Sequence, residues 1–164
     1  IGFHPQLARI TACPHQDIDV LFYGAPSERR LRILAALKEA GLKVNHVVGL
    51  YGQERDALIA RAKNVLNLHF YDAQIFEVAR VFYLLTNSKA VVSEVDARTQ
   101  IESAYLDGIQ GAPYENLVES CVELIRDDAR RTELERRALA SIERLPQVFF
   151  TMAALGWNDR HLPG

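Results

Sequence analysis

Four short stretches of this chain set polar or charged residues beside apolar runs, in patterns suited to holding an anionic or hydroxyl-bearing ligand. Gly24-Ala25-Pro26-Ser27-Glu28-Arg29-Arg30 joins a glycine, a helix-capping serine and two guanidiniums. Free N–H groups at a helix start, with Arg29 or Arg30 beside them, suit a phosphate. The competing reading is an ordinary strand-to-helix turn with solvated arginines. Glu77 and Arg80 interrupt the apolar run Ile75-Phe76-Glu77-Val78-Ala79-Arg80-Val81-Phe82-Tyr83-Leu84-Leu85. Charges on so apolar a helix are costly unless paired or bound to a ligand. Spacing i, i+3 puts both on one face, so a purely structural ion pair competes with a ligand role. His69 precedes Phe70-Tyr71-Asp72, and Ser93-Glu94 follows an apolar run. A packed imidazole and a solvated turn carboxylate are their bland alternatives.

These residues need elements to place them. The run 19–24 is apolar on both faces and closed by Gly24-Ala25-Pro26, as expected of a buried strand. Ser27 then caps a helix that carries Ile33, Ala36, Leu37 and Ala40 at helical spacing and stops at Gly41. Further strands are predicted over 44–48, 65–70 and 90–93, with helices over 54–62 and 75–85. Residues 96–113 carry turn formers and one short strand near Ile109. Two long helical patterns, 114–126 and 129–145, follow, the second heavily charged. Residues 1–16, with Pro5 and Pro14, read as a linker or hinge, and 17–147 as the folded body. The apolar 148–155 stretch within the 148–164 tail must pack on the body or on a partner.

Strands alternating with helices predict an α/β fold, a Rossmann-like parallel sheet with helices on both faces in a single domain. In such sheets ligands bind beyond the carboxyl ends of the strands. That rule singles out 24–30, 49–55, 69–80 and 93–98. The 164 residues suit one core, and the composition, 49% hydrophobic and 24% charged, excludes disorder for most of the length. Nineteen basic and 21 acidic residues give a net charge of −2, no footprint for nucleic acid. No apolar run approaches the ~20 residues of a transmembrane helix. Cys13 and Cys121 lack metal-ligand spacing and read as reduced thiols. Reduced thiols imply a cytoplasmic location, and the start, Ile1-Gly2-Phe3-His4-Pro5, with no initiator Met and no visible signal peptide, suggests a piece of a longer chain.

The stretches 19–30, 67–80 and 90–94 resemble the carboxyl-terminal half of a GT-B-type glycosyltransferase. Ile75-Phe76-Glu77 is similar to the Phe-Glu or Tyr-Glu step of bacterial transferases related to CgeB proteins. Gly2-Phe3-His4-Pro5 resembles the hinge by which that family's first domain enters its second. The resemblance implies a domain that binds a nucleotide-diphospho-sugar donor without an essential metal. By position, Gly24, Ser27 and Arg29 or Arg30 match the phosphate turn, and Glu77 matches the ribose carboxylate. His69, Tyr71, Arg80, Ser93 and Glu94 become neighbours able to contact sugar or diphosphate. The family's paired-glutamate motif is incomplete here, and the helix after Glu77 is longer than usual. The acceptor half is missing, so the chain alone is expected to be inactive, completed by that missing domain or by self-association through the tail. A non-enzymatic, flavodoxin-like interaction module is the alternative. Another small-ligand enzyme is also compatible, although a dinucleotide enzyme lacks its Gly-x-Gly-x-x-Gly motif here.

Overall fold

The computed structural model describes residues 2–11, 13–70 and 76–156. Five strands, β1 (Ile18–Tyr23), β2 (Val44–Val47), β3 (Ala62–Asn67), β4 (Val91–Glu94) and β5 (Gln110–Ala112), form one sheet. Every neighbouring pair is parallel, in the order β2-β1-β3-β4-β5. The α-helices are α1 (Glu28–Glu39), α2 (Gly52–Arg61), α3 (Val78–Thr86), α4 (Ser103–Gly108), α5 (Leu117–Arg126), α6 (Asp128–Glu143) and α7 (Gln147–Ala154). The α/β, Rossmann-like class expected from the alternating pattern is the architecture observed.

Side chains alternate across the sheet, so each strand feeds two cores. Leu21, Val65 and Val91 pack on one face with Ile59, Val81, Leu85, Tyr105 and Ile142 from α2, α3, α4 and α6. Val20, Phe22, Leu66 and Val92 pack on the other with Leu34, Leu37, Leu117 and Leu124 from α1 and α5. Burial of each such side chain contributes about 1.5–3 kcal/mol. Burial on both faces is why β1 and the start of β4 read as apolar runs, whereas β2, half-buried throughout, carries Asn45 and His46.

Three elements differ from the sequence expectation. α2 runs into β3 without a loop, so β3 begins at Ala62, fully buried opposite Ile18, and ends at Asn67. α3 begins at Val78, with Glu77 at its N-cap rather than within its first turn. The six residues of α4 form a helix where turn formers had pointed to a loop.

The first residues are tied to the last helix. Phe3 donates to the Leu145 carbonyl (2.6 Å) and accepts from the Gln147 N–H (2.8 Å), a bridge beside Pro146. Asn87 accepts from the Arg9 and Ile10 N–H groups, both at 2.8 Å, holding that segment against α3. α7 leaves Val148, Phe149 and Leu155 more than half exposed. Among the described residues, no helix is long and apolar enough to cross a membrane.

Candidate functional site

The order β2-β1-β3-β4-β5 reverses direction between β1 and β3, which opens a crevice at the carboxyl ends of those strands. The 24–30 turn and residues 68–69 flank it. Gly24 adopts φ +154°, and a Cβ there would lie 3.2 Å from Arg80 Nη2 and 3.5 Å from Arg30 Nη1. Glycine supplies that positive φ and leaves room for the Arg80 guanidinium against the turn. Ser27 caps α1, its hydroxyl accepting from the Arg30 N–H at 3.4 Å.

Arg30 occupies the switch point itself. Only 3% exposed, it donates to the carbonyls of Ala25 (3.0 Å), Leu68 (2.5 Å) and His69 (3.3 Å) and to Glu77 (2.7 Å). It also lies 5.1 Å from the Phe22 and Phe70 ring centroids. Burial pulls its pKa below the usual guanidinium value, and the Glu77 carboxylate pushes back. Glu77 bonds Arg30 through one oxygen and Arg80 through the other, each at 2.7 Å. Arg80 Nη1 is buried and makes no hydrogen bond.

Arg29 takes a separate partner. Its guanidinium meets the buried Glu94 carboxylate in a two-point pair and lies 3.9 Å from the Tyr114 ring centroid. Glu94 also accepts from the His69 N–H at 3.1 Å. A cavity of about 320 Å³ lies against this pair, lined by Arg29, Glu94, Asp96, Arg98, Tyr114 and Glu115 among others. His69 is buried beneath the rim. Ser93 is fully buried and accepts from the Asn67 amide at 3.0 Å, so it packs between strands instead of lining that cavity. Tyr71, the remaining candidate, lies outside the described residues.

Sequence reasoning marked 49–55 as part of the rim without assigning its residues. The structure places Arg55 there, donating to Asp56 (3.0 Å) with its guanidinium 4.7 Å from the Tyr83 ring centroid. Asp56 in turn receives the Tyr83 hydroxyl at 2.7 Å and pairs with Arg9 at 3.4 Å. Tyr23, at the end of β1, lies beneath Arg55 and Arg80. Burial pushes its phenol up to about 12, with Arg80 and Arg55 opposing the shift. The strand-end position of Tyr23 was the available signal for it. Arg55 had none, since an arginine in a polar helix reads as solvated. Among the described residues, no group of three His, Cys, Asp or Glu side chains is placed to hold a metal ion.

No protein-family model matches this chain. It is 31% identical over 151 residues to L140, an uncharacterized protein of Acanthamoeba polyphaga mimivirus, covering 89% of this chain and 49% of that protein. L138 of the same virus, also uncharacterized, is 30% identical over 114 residues, 68% of this chain and 13% of its own length. The chain therefore spans about half of one curated relative and much less of the other, and these relatives are viral, not bacterial. Among solved structures, TarM superposes with a TM-score of 0.61 at 11% identity, over 91% of this chain and 37% of TarM. At that identity the likeness is one of fold: this chain shares its α/β, Rossmann-like architecture with a part of TarM.

Proposed function

We propose that this chain is the donor-binding half of a GT-B-type glycosyltransferase, holding a nucleotide-diphospho-sugar along the carboxyl edge of its sheet. The observation that carries the reading is the arginine-rich rim at the β1/β3 switch point, where Arg30 and Arg80 share Glu77, Arg55 lines one cleft with Arg80, and Arg29 lines a neighbouring one with Glu94. The fold likeness to TarM, a glycosyltransferase, supports it. Guanidiniums at such a rim stabilise a departing diphosphate electrostatically, the role a metal plays elsewhere. Glu77 is the ribose ligand in this reading. Its oxygens already accept from Arg30 and Arg80, but an ionised carboxylate offers about four lone-pair sites. The acceptor site belongs to protein beyond these 164 residues, so the chain alone transfers no sugar.

Calorimetry with UDP, GDP and uridine tests this. A diphosphate should bind more tightly than uridine, and Glu77→Ala should weaken it at least about tenfold, equivalent to 1.4 kcal/mol. No binding of either diphosphate at millimolar concentration to the folded chain would overturn the reading. A second reading, a non-enzymatic interaction module, is favoured by the flavodoxin-type strand order and by the exposed Val148, Phe149 and Leu155 of α7. It predicts association through α7 with no nucleotide bound.

A further inference from the structure

We propose that a phosphoryl group is held in the cleft between the β1–α1 turn and the β2–α2 loop, gripped by Arg55 and Arg80. The proposal sharpens the donor reading and rests on it for the remainder of the ligand. The cleft has a volume of about 180 Å³ and is lined by Tyr23, Gly24, Val47, Gly49, Arg55 and Arg80 among others. Sites that enclose a whole small molecule span roughly 300–1,000 Å³. This one has room for a single charged group.

Among the described residues linked to it, the charge count is unbalanced. Arg9 and Arg55 share Asp56, and Arg30 and Arg80 share Glu77. Four guanidiniums thus face two carboxylates among these linked residues. The guanidiniums of Arg55 and Arg80 lie 6.0 and 4.8 Å from the centroid of one ring, Tyr23. Two cations set against one ring repel each other, and a dianion between them relieves that repulsion and satisfies open donors.

Neither guanidinium that lines the cleft spends all of its N–H groups. Arg55 spends Nε and Nη2 on Asp56, and Arg80 spends Nη2 on Glu77, out of five N–H groups each. Arg80 Nη1 has no acceptor, an unusual state for a buried donor. Arg30 differs, with every nitrogen bonded within the protein. Gly24 and Gly49, at φ +154° and +70°, remove the side chains that would bar the approach of an anion to the backbone.

Calorimetry of the full chain with inorganic phosphate, pyrophosphate, UDP and uridine tests the site. The variants are Arg55→Ala, Arg80→Ala and, as a control, Arg32→Ala, whose side chain is exposed and paired with Glu28. Pyrophosphate should bind the parent, and Arg55→Ala should weaken it at least tenfold while Arg32→Ala leaves it unchanged. Arg80→Ala should do the same, and Arg80→Lys replaces it if the thermal transition shows a folding loss. Raising the salt concentration should weaken all anion binding. UDP bound equally well by the parent and Arg55→Ala would overturn this site and leave the donor reading standing. Pyrophosphate bound through Arg55, with UDP no tighter than pyrophosphate, would keep the site and remove the donor reading. Absence of any anion binding at millimolar concentration overturns both.

Discussion

Arg30 Nη2 lies 2.7 Å from Glu77 Oε1, a bond between residues 47 apart in sequence that ties the start of α1 to the start of α3. The same guanidinium holds the carbonyls of Leu68 and His69, so three segments of the crevice wall depend on one side chain. Arg30→Met removes the charge, leaves three carbonyls to find other donors and leaves Glu77 with Arg80 alone. Leaving a buried carbonyl without its donor costs about 1–3 kcal/mol. Urea denaturation should show a loss of that order, and a loss below 1 kcal/mol would refute the keystone role.

Gly108 packs where α4 meets α6. A Cβ there would collide with Ser141 Oγ and come within 3.0 Å of Leu85 Cδ1. Ser141 cannot easily yield, because its hydroxyl donates to the Ala138 carbonyl at 2.8 Å. Gly108→Ala should therefore destabilise by about 1–3 kcal/mol, as overpacking does. Adding Ser141→Ala should recover part of the loss, and strictly additive effects in the double-mutant cycle would contradict this contact.

The two thiols should differ sharply in reactivity. Cys121 is fully buried between α5 and β3, and burial pushes its thiol up to about 12. Cys13 is partly exposed. An aromatic disulfide reagent at pH 8 should titrate one thiol in the native protein and two in denaturant, since the thiolate is the reactive form. Rapid native titration of both would contradict the packing of α5.

Tyr23 makes stability fall at alkaline pH. Its phenol ionises at about 12 in the folded protein, against an ordinary value near 10 when unfolded. The folded chain holds that proton longer, so its contribution is complete below pH 10 and is lost as pH rises toward 12. Tyr83 and Tyr105 are shifted in the same direction by burial. Tyr23→Phe should therefore reduce the decline in melting temperature between pH 10 and 12 without abolishing it. An unchanged slope would show that Tyr23 is hydrated.

β3 starts at Ala62-Lys63-Asn64, ahead of the apolar residues that marked it, whereas β1 and β4 were legible as short apolar runs, and most helices as apolar stripes bounded by glycine or proline. α4 was not, since Ser103, Asp107 and Gly108 are turn formers and its helicity depends on packing Ala104 and Tyr105 against α3 and α6. The start of α3 was misplaced because Phe76 and Glu77 fit the helical pattern up to the residue where the chain turns. The location of the rim followed from topology alone. Which arginine is spent and which is open did not, because Arg29 meets Glu94 and Arg30 meets Glu77 only after strand register is set. An adjacent pair of identical residues gives no local hint of such different partners.

The all-parallel ladder has a consequence for how this chain reaches its fold. The shortest strand pairing joins Val92 to Gln110, and β1 waits for β3, with Ile18 opposite Ala62. Among the described residues no hairpin exists to nucleate the sheet, so every rung demands closure of a long loop before it yields any contact, a topology that slows folding. β1, an interior strand with neighbours on both edges, is also the first made. During synthesis, Val20-Leu21-Phe22 can gain β2 on one edge once Val44–His46 have emerged, but its other edge stays open until Asn64 and Val65 follow. That interval, rather than any weakness of the finished core, is when aggregation competes most strongly.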